Sequence, residues 1–362
     1  MNRPTCIVVL AAGEGTRMRS DRPKPLHVVG GRPLVYYVLD AIEIEGVLAT
    51  VVVVGHQAAW VEKVLRERSS RIPTRFVEQF EQLGTGHAVS VALAAVSEVM
   101  GDDDGDVVIV PSDTPLLRRV TMAELVQRHR ASDSAISVLT AHLADPTGYG
   151  RIVRARDGSI ERIVEQRDAT ALEREITEVN TSIMVVRASL LGPALRRVDR
   201  RNAQREYYLT DVVAVLHDAG HLVQAVVLED PAEATGVNDR EQLAVAEAVM
   251  RGRINRGWLQ RGVTIWDPST TYVDADVELA PGASLLPGTV LRGRTVVETG
   301  ASIGPNAHLV DSRVGQNARI GAVEADRSVI GAAASVGSYC VLGPGSQVAP
   351  GEVVAPGTHR PS

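Results

Sequence analysis

Cys6-Ile7-Val8-Val9-Leu10-Ala11-Ala12-Gly13-Glu14-Gly15-Thr16-Arg17-Met18 is an apolar, mostly aliphatic run that opens directly into glycine. A run of this length reads as a strand buried on both faces, the kind found at the centre of a parallel sheet. Small residues and glycine at its C-terminal end let backbone N–H groups approach phosphate oxygens, and Gly13 and Gly15 accept conformations that a side chain forbids. A dinucleotide fingerprint would want glycine where Met18 stands, and a Walker loop would continue Gly-Lys-Ser/Thr; both are absent. Arg17 and then Arg22-Pro23-Lys24-Pro25-Leu26 follow instead. Of the 38 basic residues only Lys24 and Lys63 are lysine, so Lys24 marks a place where a compact ammonium is wanted over a forked guanidinium. Lys63, between Glu62 and Glu67, reads as a solvated helix face.

Outward from this stretch the pattern repeats. Short apolar runs at Val51–Val54, Val107–Val110, Ile136–Ala141, Ile183–Val186 and Val223–Leu228 alternate with amphipathic segments at Leu34–Ile44, Ala58–Arg68, His87–Met100 and Met122–Arg130. Strand–helix alternation predicts a mostly parallel, Rossmann-like α/β sheet over residues 1–238. A linker helix is expected within 239–262. From 263 to 362 the texture changes, and aliphatic residues recur at a period of six: Val273, Leu279, Leu285, Leu291, Val297, Ile303 and Leu309. The count slips by one to Val314 and Ile320, slips again, and resumes at Ile330, Val336, Leu342, Val348 and Val354. One inward aliphatic per short strand, with a turn before the next face, predicts a β-solenoid.

Composition excludes several classes. The 362 residues are 44% hydrophobic and 23% charged, which rules out wholesale disorder. A net charge of −6 speaks against a nucleic-acid backbone binder, so any phosphate meets a local site. Cys6 and Cys340 cannot build a disulfide framework. No run approaches the roughly 18 apolar residues of a membrane span, and no leader is read at the start, so the expected location is cytoplasmic with no membrane partner.

The glycine loop with Lys24 resembles the signature of the sugar-1-phosphate nucleotidyltransferases. Further stretches resemble the bacterial N-acetylglucosamine-1-phosphate uridyltransferases, in that family's order: Glu78-Gln79-Phe80-Glu81-Gln82-Leu83-Gly84-Thr85-Gly86-His87-Ala88, Asp145-Pro146-Thr147-Gly148-Tyr149-Gly150-Arg151-Ile152, Ile163-Val164-Glu165, Val179-Asn180-Thr181, Glu206-Tyr207-Tyr208-Leu209-Thr210-Asp211 and Gly236-Val237-Asn238-Asp239-Arg240. The resemblance covers residues 4–240, and the solenoid extends it as a hexapeptide-repeat left-handed β-helix that packs as a homotrimer. It implies Mg²⁺-dependent transfer of UMP from UTP to a sugar 1-phosphate. Leu10, Ala11, Ala12, Gly13, Gly15, Arg17 and Lys24 would cradle and neutralise the phosphates. Gln79, Gly84 and Thr85 would hold the base; an amide such as Gln79 supplies the donor–acceptor pair a uracil edge needs. Ser112-Asp113 ends a strand where open α/β sheets bind ligands, although Thr114-Pro115 also suits a helix-cap aspartate. The resemblance makes Asp113 and Asn238 the metal ligands. It makes Gly150, Glu165 and Asn180, with Tyr208 and Thr210 nearby, the sugar pocket.

The family usually has glycine where Ser112 and Ser182 stand, which bears on sugar and base preference. Its bifunctional members continue into an acetyl-transferring segment. This chain ends at Ser362 with only His308 and His359 in the solenoid, so acetyltransferase activity is not expected. The nearer alternative is the same chemistry with another pair, such as dTTP and glucose 1-phosphate. A different class is a non-catalytic assembly protein that binds a nucleotide sugar. Asp102-Asp103-Asp104-Gly105-Asp106 lacks the ligand alternation of an EF-hand and reads as a solvated loop. His87 reads as a residue of a helix start.

Overall fold

A computed structural model describes residues 3–101 and 104–360. The chain divides into two compact units. One comprises the residues up to His27 with Pro33–Leu243, and the other Val28–Arg32 with the residues from Ala244 on.

In the first unit the strands are β1 (Thr5–Ala11), β2 (Val47–Val54), β3 (Thr74–Glu78), β4 (Asp106–Pro111), β5 (Ile136–His142), β6 (Arg151–Arg154), β7 (Ile160–Val164), β8 (Glu178–Arg187) and β9 (Val223–Val227). They form one sheet in the order β9-β5-β8-β4-β1-β2-β3, with β6 paired to β8 and β7. β1, β2, β3 and β4 are mutually parallel; β8 runs antiparallel to β4 and β5. Successive residues of one strand face opposite sides of a sheet, and the core sorts accordingly. Cys6, Val8, Val107 and Ile109 pack on one side, Ile7, Val9, Val108 and Val110 on the other. This double burial explains why these runs are continuously apolar. Burying each such side chain is worth roughly 1.5–3 kcal/mol.

The helices are α1 (Leu34–Ala41), α2 (Ala58–Glu67), α3 (Thr85–Met100), α4 (Arg119–Ala131), α5 (Ala171–Arg174), α6 (Ala188–Leu195), α7 (Asp211–Asp218) and α8 (Arg240–Gln260). α3 buries Ala88, Val89, Ala92 and Val96, a stripe of helical spacing that covers the first face of the sheet. β1 is followed by two single 3-10 turns, Thr16–Met18 and Lys24–Leu26. Pro23 and Pro25 explain this, because proline biases its predecessor away from the helical region and removes a donor.

The second unit is a three-faced parallel β-helix, the left-handed β-helix implied by the family likeness. Its inward positions stack in register: Ile265, Leu285, Ile303, Ile320, Val336 and Val354 on one face, and Leu279, Val297, Val314, Ile330 and Val348 on another. On the third face Val273, Leu291 and Leu309 are followed by Ala325 and Leu342. Ala325 fills the inward position between Ile320 and Ile330, where a scan for larger aliphatics passes over a methyl, and the steps on either side of it are each one residue short of six. Trp258 and Ile254 of α8 pack against this column.

One expectation is corrected. In the acidic stretch 102–106, Asp102 and Asp103 lie outside the described residues, but Asp106 is not solvated. It is fully buried at the start of β4, accepting a hydrogen bond from Arg130 at 2.7 Å with Arg3 at 3.6 Å. The paired cations allow its burial.

Candidate functional site

The C-terminal ends of β1 to β4 lie along one edge of the parallel half of the sheet. The ladder continues one step beyond the strands: Ser112 N–H donates to the Leu10 carbonyl at 3.0 Å, and Gln79 N–H to Val54 at 2.8 Å. The loops that leave this edge therefore start in register. Gly55, just beyond β2, faces the first of them; a Cβ there would stand 2.7 Å from the Ala12 carbonyl oxygen. In the glycine loop, Gly13 is open, with nothing within 4 Å of where a Cβ would stand. Gly15 has φ +65° and packs so closely on Lys24 that a Cβ would lie 2.7 Å from the lysine Cβ. Arg240 donates to the Met18 carbonyl at 3.0 Å and ties the end of the loop to the start of α8.

Four of the expected residues meet here. The Lys24 ammonium donates to Asp113 Oδ2 and, at 2.7 Å, to Asn238 Oδ1. Arg17 donates to the same Asn238 oxygen at 3.0 Å. Asp113 caps no helix, since α4 begins at Arg119 with Arg118 in the cap position. Its backbone carbonyl accepts Val237 N–H at 2.8 Å. The start of α8 holds the Asn238 backbone: its N–H donates to Gln242 Oε1 at 2.7 Å, and Gln242 N–H donates to Asp239 at 2.8 Å. One charged and one neutral oxygen thus converge on a single cationic point. That donor set fits a hard divalent ion that keeps its waters and takes further oxygens from phosphate. Among the described residues no group of three or more His, Cys, Asp or Glu forms a dedicated metal cage.

The second cluster is braced by two segments running side by side. Gly84, at φ +109°, leaves no room for a side chain because the Tyr207 carbonyl would be 2.6 Å from its Cβ. Tyr207 N–H donates to Leu83, Gly86 N–H to Tyr207, and Leu209 N–H to the Thr85 hydroxyl at 3.0 Å. The Thr85 hydroxyl thus serves as a tether. Gln79 is 3% exposed; its amide nitrogen donates to the Gly84 carbonyl at 3.2 Å and meets His87 Nδ1 at 3.0 Å. His87, read from sequence as an ordinary helix-start residue, holds this amide in place.

The third cluster contains Gly150, Glu165, Asn180 and Thr210. Thr210 donates to Glu165 Oε1 at 3.0 Å, and Asn180 N–H donates to the Gly150 carbonyl at 2.8 Å. A Cβ on Gly150 would stand 3.4 Å from the Glu165 carboxylate. Tyr208 is not hydrogen-bonded to Glu165 but donates to Asp168 at 3.2 Å. Burial, with Asp168 and Glu206 nearby, pushes the Glu165 carboxyl above its ordinary range. Burial and the surrounding carboxylates Glu165, Asp199 and Asp168 push Asp211 up to about 6. Ser182 sits on an irregularity of β8 at φ +63°, and its N–H donates to Asn180 Oδ1 at 3.0 Å.

Tyr149 links the third cluster to the first. Burial holds its phenol above the usual range, the Gly236 backbone opposes the rise, and Asp113 adds to it. Residues missed from sequence are therefore Gly55, His87, Tyr149, Asp168 and Gln242. Three of them fall inside or beside quoted motifs, but only packing reveals what they hold.

Comparison with known proteins is consistent with this geometry. A MobA-like NTP transferase domain matches residues 7–182. The chain is 45% identical over 337 residues to the bifunctional protein GlmU of Kineococcus radiotolerans, covering 93% of this chain and 67% of that one. It is 45% identical over 338 residues to the Streptomyces avermitilis protein of the same name, covering 93% and 69%. With that of Streptococcus mutans it is 41% identical over 332 residues, covering 92% and 70%.

Proposed function

The chain belongs to the GlmU family and is a sugar-1-phosphate nucleotidyltransferase, and from this premise we propose that it transfers UMP from UTP to N-acetylglucosamine 1-phosphate with Mg²⁺ as cofactor. The products are UDP-N-acetylglucosamine and pyrophosphate. The observation that carries the reading is the convergence of Asp113 and Asn238 oxygens on the ammonium of Lys24, whose stem packs on Gly15 of the glycine loop.

In this reaction an oxygen of the sugar phosphate attacks the α-phosphorus of UTP in line. The new P–O bond forms as the bond to the β-phosphate oxygen breaks, and pyrophosphate leaves with the electron pair. No covalent enzyme intermediate is required, so the protein contributes positioning and charge stabilisation. Asp113 and Asn238 would hold Mg²⁺, which supplies Lewis-acid neutralisation of the phosphate oxygens. Gly13 and Gly15 bring backbone to the triphosphate. Arg17 and Lys24 balance charge on the α-phosphate and the departing pyrophosphate. Gln79, held by His87 and Gly84, faces the uracil edge. Gly150, Glu165, Asn180 and Thr210 line the sugar side.

We assign no acetyl transfer to this chain; His308 and His359 are both exposed on outward positions of one solenoid sheet. Assembly as a homotrimer through the β-helix and a cytoplasmic location complete the reading. Among the described residues no helix is long and apolar enough to cross a membrane. The test is pyrophosphate release from purified protein with Mg²⁺, four nucleoside triphosphates and a panel of sugar 1-phosphates. Turnover confined to UTP with N-acetylglucosamine 1-phosphate is expected. Preference for dTTP with glucose 1-phosphate, or UTP binding without turnover, would overturn the assignment. Thiol release from acetyl-CoA should be absent.

A further inference from the structure

Asp113 and Asn238 come from segments far apart in sequence, and their separation is set where those segments are bonded together at two places. Asp113 lies on the connection from β4 to α4, and Asn238 ends a segment that begins with the 3-10 turn Pro231–Ala234. At the site end, Val237 N–H donates to the Asp113 carbonyl at 2.8 Å. At the far end stands Glu233, 1% exposed and five positions before Asn238. Its Oε2 accepts Arg118 N–H at 2.9 Å and the Thr121 hydroxyl at 2.7 Å. Its Oε1 accepts Arg118 Nε at 2.7 Å and the other arm of the same guanidinium. A carboxylate so deeply buried persists only because both oxygens are satisfied and the charge is paired. The turn that carries it is itself capped, with Asp230 accepting Ala232 N–H at 3.1 Å.

We propose that Glu233 is a positioning residue for the cation site: clamped by Arg118 and Thr121, it fixes the register of the Asn238 segment against the Asp113 segment and so the spacing of the two ligand oxygens. It touches neither substrate nor metal and acts through the segment it anchors. The inference rests on reading Asp113 and Asn238 as metal ligands. The Arg118 side chain is 46% exposed. Arg118→Ala removes two of the four bonds to Glu233 and leaves that buried carboxylate with the Arg118 N–H and the Thr121 hydroxyl, whereas Glu233→Gln leaves unpaired only a guanidinium that reaches solvent.

The test compares wild type, Arg118→Ala and Glu233→Gln by Mn²⁺ titration in the presence of UTP, read by electron paramagnetic resonance without sugar 1-phosphate. Thermal melts establish that each variant folds, and Glu233→Gln carries the test if Arg118→Ala does not. Weakening of Mn²⁺ binding by about 3–10-fold is expected in each, in line with supporting contacts one step removed from a metal. At saturating Mg²⁺, kcat should fall less than about 3-fold, because the loss is one of ligand spacing and not of chemistry. Undiminished Mn²⁺ binding in the folded variants overturns this inference alone, as does a loss of kcat as large as the loss of metal affinity. Absence of Mn²⁺ binding by wild type in UTP overturns the metal reading itself.

Discussion

Replacing Lys24 by alanine separates two effects that usually travel together. The ammonium bonds Asp113 and Asn238 at once, and the Lys24 and Asp113 side chains are only 16% and 15% exposed, so screening by solvent is incomplete. At about 4 Å and an effective dielectric near 20, one such charge contact is worth about 4 kcal/mol before desolvation. Realised entirely in the transition state, that would be about three decades of rate. Part of it acts equally on bound UTP and shows in KM, so Lys24→Ala should lower kcat/KM by about 10³-fold and kcat by about 10²-fold. The same ammonium competes with a divalent ion for both oxygens. Its removal should therefore raise Mn²⁺ affinity measured without nucleotide, several-fold, while turnover collapses. Pyrophosphate release reads the first effect and electron paramagnetic resonance the second. Lys24→Arg keeps the charge but not the compact head that reaches Asp113 and Asn238 together, and should restore little of the rate. Near-normal turnover in Lys24→Ala, or weaker Mn²⁺ binding by it, would refute the reasoning.

Further outcomes follow from the other clusters. His87→Ala frees the Gln79 amide and should raise KM for UTP by about 3–10-fold while leaving kcat within about 2-fold, checked by initial rates at saturating sugar 1-phosphate. Ser182→Gly relieves a left-handed backbone that costs a side-chain-bearing residue roughly 1–2 kcal/mol, offset by greater chain freedom when unfolded; urea melts should show a gain of up to about 1 kcal/mol. For Asp211, the native carboxyl titrates near 6 against an ordinary 3.8. The unfolded chain loses this proton first as pH rises, so wild type loses stability between about pH 4 and 6 through this group. Asp211→Asn should accordingly be more stable than wild type at pH 8 by about 1–2 kcal/mol, less than the shift alone implies because a charge in the first turn of α7 is favourable, and the gap should close below pH 4. Melts at the two pH values measure it; an equal effect at both would remove the titration as its cause.

The solenoid and the parallel core were legible because each rests on a short-range period. Inward aliphatics six apart and β-branched runs flanked by glycine report burial directly. β6, β7 and the full length of β8 escaped that reading. β8 carries Asn180, Thr181 and Ser182 in its first half, where an irregular register lets polar residues sit on a strand, and only Ile183–Val186 looked apolar enough. β3 escaped because its residues, Thr74-Arg75-Phe76-Val77-Glu78, lie at the sheet edge and are not fully buried. Both failures have one cause: a strand half covered, or covered by a pocket, does not advertise itself as hydrophobic.

The site was legible in its parts and not in its wiring. Residue types and the family resemblance suggested a cradle, an amide for a base and an acid for a metal, and the fold brings Lys24, Asp113 and Asn238 together, but nothing in sequence brings Glu233 to Arg118 or Gly84 under Tyr207. The two serines that depart from the family's glycines illustrate the limit. Ser112 is buried with its backbone in the strand ladder, N–H to Leu10 at 3.0 Å, and its backbone does not enter the left-handed region. Ser182 stands at φ +63° and presents its N–H to Asn180. From sequence the two substitutions are the same event, a hydroxymethyl group in place of hydrogen. In the fold one is free of backbone strain and the other stores it next to Asn180, in the cluster proposed to take the sugar. If either serine alters sugar choice through the backbone, it is therefore Ser182, and a Ser182→Gly variant that gains stability with an unchanged sugar profile would separate strain from specificity.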